Sequence, residues 1–284
     1  MNTKTEQEGG KGYWSMTEGV FNCLIDTKRT VAFEKAIRNT IKKGDTVVDM
    51  GTGSGVLAMI AIDAGADKVY AVEIDEKNTV NLAKTFSENN CSDKVEIIEG
   101  DITKIDLPQK VDVIVGEMIA TGLIEELQIP AMNNMLRFAK EDTRVILNQF
   151  ANYVDLVSNN EVFYGHSFPI IRYEYPEQME LTSRALSEKF LYKLVDFSKP
   201  VLETKIDINT KLKITHNGII NGLRISNETI FTDGSKLDAS YAYSYPIILP
   251  IEKMEVEEGD VFSVKLSYIM CEGFNNLRYT VEKI

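Results

Sequence analysis

The apolar positions of this chain change period twice. Over residues 13–43, Leu24, Val31, Phe33, Ile37 and Ile41 recur every three to four residues with Lys and Arg between them, which predicts helix. The polar, Gly-containing stretch 1–12 carries no such pattern and is expected to be disordered when nothing is bound. From 45 to 148, short apolar runs alternate with helical stretches. Residues 46–49, 68–73, 95–98, 111–115 and 144–147 read as strands, with a helix opening near Ser54 and another over 76–89. Crossovers of this length join parallel neighbours, so the pattern predicts an α/β unit with a parallel sheet. After about Gln149 the period falls to two. Phe262, Val264, Leu266, Tyr268 and Met270 alternate with mostly polar residues, as do Leu277, Tyr279 and Val281, and 257–260 and 271–276 are turn-like. This half is expected to be antiparallel β, with 176–194 as its main helical exception.

Composition narrows the class. The 284 residues allow one large or two modest domains, and the changes of period divide them at 1–44, 45–148 and 149–284. With 31 Lys and Arg against 43 Asp and Glu, the net charge of −12 argues against a chain whose affinity comes from neutralising phosphates. His166, His216, Cys23, Cys91 and Cys271 form no metal-binding spacing, so no metal is expected, and the cysteines read as buried thiols in a reducing compartment. The N-terminus has no apolar signal region and no run approaches a membrane span, which together point to a soluble, cytoplasmic protein.

The most informative segment joins the first predicted strand to the first helix. Asp49 precedes a turn holding Gly51, Thr52, Gly53 and Gly55, and Glu73 ends the next strand 22 residues after Gly51. Glycines there let backbone N–H groups approach a ligand, and an acid at the second strand end can accept both hydroxyls of a ribose. A dinucleotide fingerprint needs its third glycine one position later, where Val56 stands, and Asp49 would oppose a pyrophosphate. A cofactor with cationic groups and no phosphate, S-adenosylmethionine, fits better than NAD. Asp101 and Ile102, after the third strand, could bracket its adenine. A Gly-rich turn with no ligand is the structural alternative.

These residues resemble those of the class I S-adenosylmethionine methyltransferases, and within them the protein arginine methyltransferases. Residues 24–30 (Leu-Ile-Asp-Thr-Lys-Arg-Thr) look like the family's N-terminal segment, whose arginine, here Arg29, would pair with the cofactor carboxylate. Trp14 lies where the family has an aromatic that closes over the cofactor. The resemblance implies a Rossmann-like cofactor domain over 45–148 behind a helical cap. It also implies a barrel-like substrate domain over 149–284, with S-adenosylhomocysteine as the product. It assigns the cofactor to Trp14, Arg29, Asp49, Gly51, Thr52, Gly53, Gly55, Glu73, Ile74, Asp101, Ile102 and Glu117. The family also carries two catalytic acids nine positions apart, an interval that Glu117 and Glu126 reproduce, with Glu125 as the standby. Paired carboxylates can hold a cationic nitrogen group and favour its loss of a proton. Acids opening a helix are the structural alternative for Glu125 and Glu126.

The departures bear on the acceptor. The family's Thr-His-Trp loop aligns with Tyr241, Ala242 and Tyr243, so its histidine and tryptophan are missing, and the β half looks short for a full dimerisation arm. A homodimer stays open. So do two acceptors, a protein or peptide nitrogen such as arginine, and a small metabolite methylated at N or O; a non-catalytic cofactor-binding scaffold is the third reading. Tyr241, Tyr243 and Tyr245 are candidate walls of the acceptor slot, and His216 a candidate base. Nucleic acid is disfavoured, because Gly116-Glu-Met-Ile119 replaces the polar and aromatic set that holds a flipped base.

Overall fold

The computed structural model describes residues 17–175 and 182–284. Trp14 and residues 1–12 lie outside them. Two helices open the described chain, α1 (Thr17–Ile25) and α2 (Thr27–Thr40), where the spacing predicts one. Asp26 separates them: its backbone is extended and its Oδ1 accepts from Arg29 N at 3.0 Å, so it caps α2. A periodicity count misses this break because Phe33 and Ile37 keep the helical stripe running on the far side.

A five-stranded sheet follows, built from β1 (Thr46–Met50), β2 (Lys68–Glu73), β3 (Val95–Glu99), β4 (Val111–Gly116) and β5 (Ala139–Val145). Helices α3 (Val56–Asp63), α4 (Glu76–Glu88) and α5 (Gln128–Met135) lie between the strands in sequence. Every pairing is parallel and the order is β3-β2-β1-β4-β5. The order reverses beside β1, which leaves a crevice at the carboxyl ends of β1, β2 and β4. The last strand differs from expectation. It starts at Ala139, and Leu147 belongs to the next strand, with Ile146 alone between the two.

The β half contains β6 (Leu147–Ser158), β7 (Val162–Phe163), β8 (His166–Ser167), β9 (Arg172–Tyr173), β10 (Arg184–Ala185) and β11 (Phe190–Asp196). After them come β12 (Lys205–Lys213), β13 (Gly218–Phe231), β14 (Lys236–Leu237), β15 (Ile247–Val256), β16 (Val261–Ile269) and β17 (Arg278–Lys283). One sheet runs β10-β6-β13-β15-β9, with β11 also on β6 and β14 on β13; β12-β16-β17 form a second, and β7-β8 a hairpin. All these pairings are antiparallel, giving an antiparallel, barrel-like unit. The helix expected over 176–194 is not found at 182–194, where β10 and β11 pair with β6, whose long apolar face overrides local preference. Residues 176–181 lie outside the described set. Among the described residues no helix is long and apolar enough to cross a membrane.

One core serves both halves. Phe33 of α2 meets Phe231 of β13 edge-on with ring centroids 4.9 Å apart, and Phe262, Val264, Leu266, Tyr268 and Met270 all bury as their alternation requires. Gly116, at the end of β4, leaves no room for a side chain. A Cβ there, at φ +148°, would lie 2.6 Å from Met50 Cβ and 2.7 Å from its carbonyl oxygen. Gly116→Ala is expected to destabilise the fold by about 3 kcal/mol. Thermal unfolding would show this as a fall of roughly 6–12 °C in Tm; an unchanged Tm would mean the strand ends have slack.

Candidate active site

A cavity of about 960 Å³ opens at the carboxyl ends of β1, β2 and β4, between α1 and the β half. Gly51, Thr52, Gly53, Glu73, Ile74, Asp101 and Ile102 line one end of it, and Arg29, Glu117 and Glu126 the other. Thus ten candidate residues from distant parts of the chain share one wall. Asp49 and Gly55 lie beneath the loop and do not reach the wall.

Local chemistry explains the loop. Gly51, Gly53 and Gly55 have φ of +60°, +55° and +80°, a region costly for any side chain, and at Gly55 a Cβ would stand 2.9 Å from the Phe86 ring. Thr52 Oγ1 donates to Asp49 Oδ2 at 2.6 Å, while Asp49 Oδ1 is buried with no partner among the described residues. Burial pushes the Asp49 carboxyl up to about 7. Glu73 accepts four hydrogen bonds, Oε2 from Gly53 N (3.1 Å) and Asn78 Nδ2 (3.0 Å), Oε1 from Ile74 N (2.8 Å) and Asp75 N (3.0 Å). A ribose diol must therefore displace one donor, and the Asn78 amide is the side chain able to move. Asp101 is tied into its own turn by Thr103 and Lys104, which hold its carboxyl below the usual range despite partial burial.

The other end is acidic. Arg29 Nε and Nη2 reach Glu117 Oε2 at 2.8 and 2.7 Å, and both side chains are buried, while Glu117 Oε1 accepts from Ile119 N at 2.9 Å. Glu125 accepts a hydrogen bond from the Tyr173 hydroxyl. Glu126 receives none from the described residues. Burial, with Glu117 and Glu125 adding like charge, pushes its carboxyl up to about 8. Both acids sit in the bend before α5, not in its first turn, so the helix dipole does not account for them. The bend is fastened from the β half: Tyr268 Oη donates to Gly122 O (2.8 Å), Cys271 N to Leu123 O (2.7 Å) and Gly273 N to Ile124 O (2.8 Å).

The remaining candidates divide. Tyr245 lines the cavity; Tyr243 is turned into the core against Phe33, and Tyr241 is exposed. His216 is exposed, paired with Thr215, and not on the wall. Cys91 and Cys271 are buried, but Cys23 is half-buried at the wall, where burial beside Glu117 raises its thiol pKa to about 11. Sequence reasoning missed Asn78, Met118, Tyr173, Tyr175 and Glu272 on the wall. Asn78 stands five residues after Glu73, in the first turn of α4, and could have been found there. Tyr173 sits on a two-residue strand with no local signal.

The residues fit S-adenosylmethionine on two counts. Among the described residues, Asp49 keeps an orphaned buried oxygen, and Arg29 is the only Lys or Arg on a wall that carries seven Asp and Glu. That wall suits a cationic sulfonium and repels a pyrophosphate.

Comparison with known proteins agrees. The sequence profile of the ribosomal protein L11 methyltransferase (PrmA) family matches residues 28–148. An uncharacterized protein of Methanocaldococcus jannaschii is 32% identical over 252 residues, covering 87% of this chain and 90% of that protein. The histone-arginine methyltransferase CARMER of Anopheles gambiae is 36% identical over 137 residues, 47% of this chain but 21% of that protein. Among solved structures, the Trypanosoma brucei PRMT1 enzyme–prozyme heterotetrameric complex with AdoHcy superposes with a TM-score of 0.73 at 18% identity, over 93% of this chain and 96% of that one. Fold and site thus define a class I S-adenosylmethionine-dependent methyltransferase that resembles the arginine methyltransferases. Within that class the chain belongs to the same family as the M. jannaschii protein.

Proposed function

We propose that the chain transfers a methyl group to the nitrogen of a cationic acceptor, a guanidino or amino group, with Glu117 and Glu126 as the catalytic acids. The observation that carries this is Glu126, a carboxyl group at the cavity wall with no donor among the described residues and a raised proton affinity. S-adenosylmethionine supplies an electrophilic methyl on a sulfonium sulfur. Glu73 and Asn78 would hold its ribose, Ile102 its adenine and Arg29 its carboxylate, while Asp49, beneath the loop, would add negative charge on the side of its ammonium. Glu117 shares Oε2 with Arg29, so it orients the acceptor, and Glu126, once ionised, adds a charge that Arg29 does not take up. The acceptor nitrogen must lose a proton to expose its lone pair, and a Glu126 oxygen receives it. A carboxylate whose pKa is raised towards neutrality suits that step.

A second reading, a small amine as acceptor, is favoured by Ala242 and the inward-turned Tyr243 where the arginine methyltransferases carry histidine and tryptophan. Tyr173, Tyr175 and Tyr245 wall that end instead, with Tyr175 and Tyr245 4.7 Å apart between centroids. Incubation with labelled S-adenosylmethionine and cell extract separates the two readings. Label confined to small molecules would sink the peptide acceptor. A cytoplasmic location and a homodimer are part of the same proposal; Phe21, Leu24 and Val31 on α1–α2 and Val162 and Ile170 near the hairpin leave apolar surface for a second copy. Glu73→Ala is expected to weaken S-adenosylmethionine binding at least tenfold by calorimetry, since a charge-assisted bond is worth about 1.5–3 kcal/mol. Equal affinity would overturn the cofactor assignment.

A further inference from the structure

Three oxygen–hydrogen contacts converge where α1 meets α2. Asp26 Oδ1 caps α2 through Arg29 N (3.0 Å), and Oδ2 accepts from Ser240 Oγ (2.6 Å) and Ala242 N (2.8 Å) in the loop before β15. Asp26 is 2% exposed and Ser240 3%, so water does not compete for these bonds. The same loop holds its neighbours: Lys28 Nζ donates to Ala239 O (2.9 Å) and pairs with Asp238. Tyr243 anchors the loop in the core against Phe33, with its hydroxyl bonded to Thr229. Ala242 therefore acts through its backbone, and Ser240 is the side chain that reaches the capping acid.

We propose that Ser240 is a positioning residue for Arg29, gripping Asp26 so that the first turn of α2 delivers the guanidinium to the cavity beside Glu117. The proposal rests on the reading of Arg29 as a cofactor contact. The geometry runs without a gap from Ser240 Oγ to Asp26, from Asp26 to the backbone of Arg29, and from the Arg29 fork to Glu117 Oε2. A side chain on the β half thereby sets how well the cofactor end is preorganised, with no contact to the cofactor itself. Losing one hydrogen bond of a charged acceptor, with the Ala242 N–H still in place, is expected to weaken cofactor affinity about tenfold.

The test is a double-mutant cycle on the Kd for S-adenosylmethionine, measured by calorimetry with Ser240→Ala, Arg29→Lys and the pair. The expected result is a roughly tenfold rise for Ser240→Ala and no further rise when it is added to Arg29→Lys. Asp26→Asn gives an independent variant, because Asn keeps the cap on Arg29 N, but its amide at the Oδ2 position carries no charge, can meet Ser240 only as a donor and strands the Ala242 N–H. It is expected to match Ser240→Ala. Multiplying effects in the cycle, or a lowered Tm with unchanged Kd, would overturn the proposal. If Arg29→Lys alone leaves Kd unchanged while Glu73→Ala raises it, the reading of Arg29 fails and the proposal with it. If Glu73→Ala also has no effect, the cofactor assignment is what failed.

Discussion

Glu117→Gln is expected to cut methyl-transfer turnover about 10²- to 10³-fold, the usual cost of removing one preorganised group facing developing charge. The side chain keeps its shape and one acceptor oxygen but loses the charge that Arg29 and a cationic acceptor both need. Stability falls as well. The Arg29–Glu117 pair is buried, so the variant strands a guanidinium, at a cost of the order of 3 kcal/mol. Initial rates with labelled cofactor and a thermal melt separate the two effects, because rates are read well below the new Tm. Turnover within threefold of the parent would remove Glu117 from the chemistry. Turnover that is absent in the parent with every acceptor tried would favour the scaffold reading.

The second large effect is on pH dependence. The carboxyl of Glu126 is raised to about 8, so at pH 7 the free enzyme carries it mostly protonated. Only the carboxylate attracts a cationic nitrogen and takes its proton, so kcat/KM should climb about tenfold per pH unit up to about 8 and then level. A guanidino acceptor stays charged throughout this range, which leaves the limb to the enzyme. Glu126→Gln should remove the limb and lower kcat/KM about a hundredfold at the plateau. A flat profile in the parent would mean that Glu126 is not the proton acceptor. Asp49, raised to about 7, predicts a weaker limb of the same sign in cofactor binding alone, so the two are told apart by calorimetry without acceptor.

Much of this was legible in the chain because the cofactor end is built from contiguous segments. Residues 49–55 and 73 lie at successive strand ends, so their spacing alone places them together, and Glu117 follows a buried strand in the same way. The acceptor end is assembled across far larger separations. Tyr173 meets Glu125, 48 residues away, and Asp26 meets Ser240, 214 residues away. No local period encodes such pairings; they depend on how the β half docks. The same distance explains the tyrosines. Tyr241, Tyr243 and Tyr245 look equivalent in sequence, but a turn closed by the Ser240–Tyr243 bridge sends one outward, one into the core and one to the cavity. The helix expected over 176–194 failed at 182–194 for a related reason, since pairing with β6 outweighed local preference.

The single residue between β5 and β6 bears on how ligands come and go. With Ile146 alone joining β5 to β6, and the acid bend bonded to 271–273, no loop lies between the floor and the acceptor wall at that junction to act as a hinge. α2 is fastened to the β half through Asp26. α1 is held more lightly, by 3.3 Å bonds from Arg29 Nη1 and Thr30 Oγ1 to Cys23 O; it leaves Phe21, Leu24 and Ile25 exposed and borders the cavity through Val20 and Cys23. Exchange of a spent cofactor for a fresh one is therefore expected on the α1 side, where the bonds to Cys23 O would be among those to open.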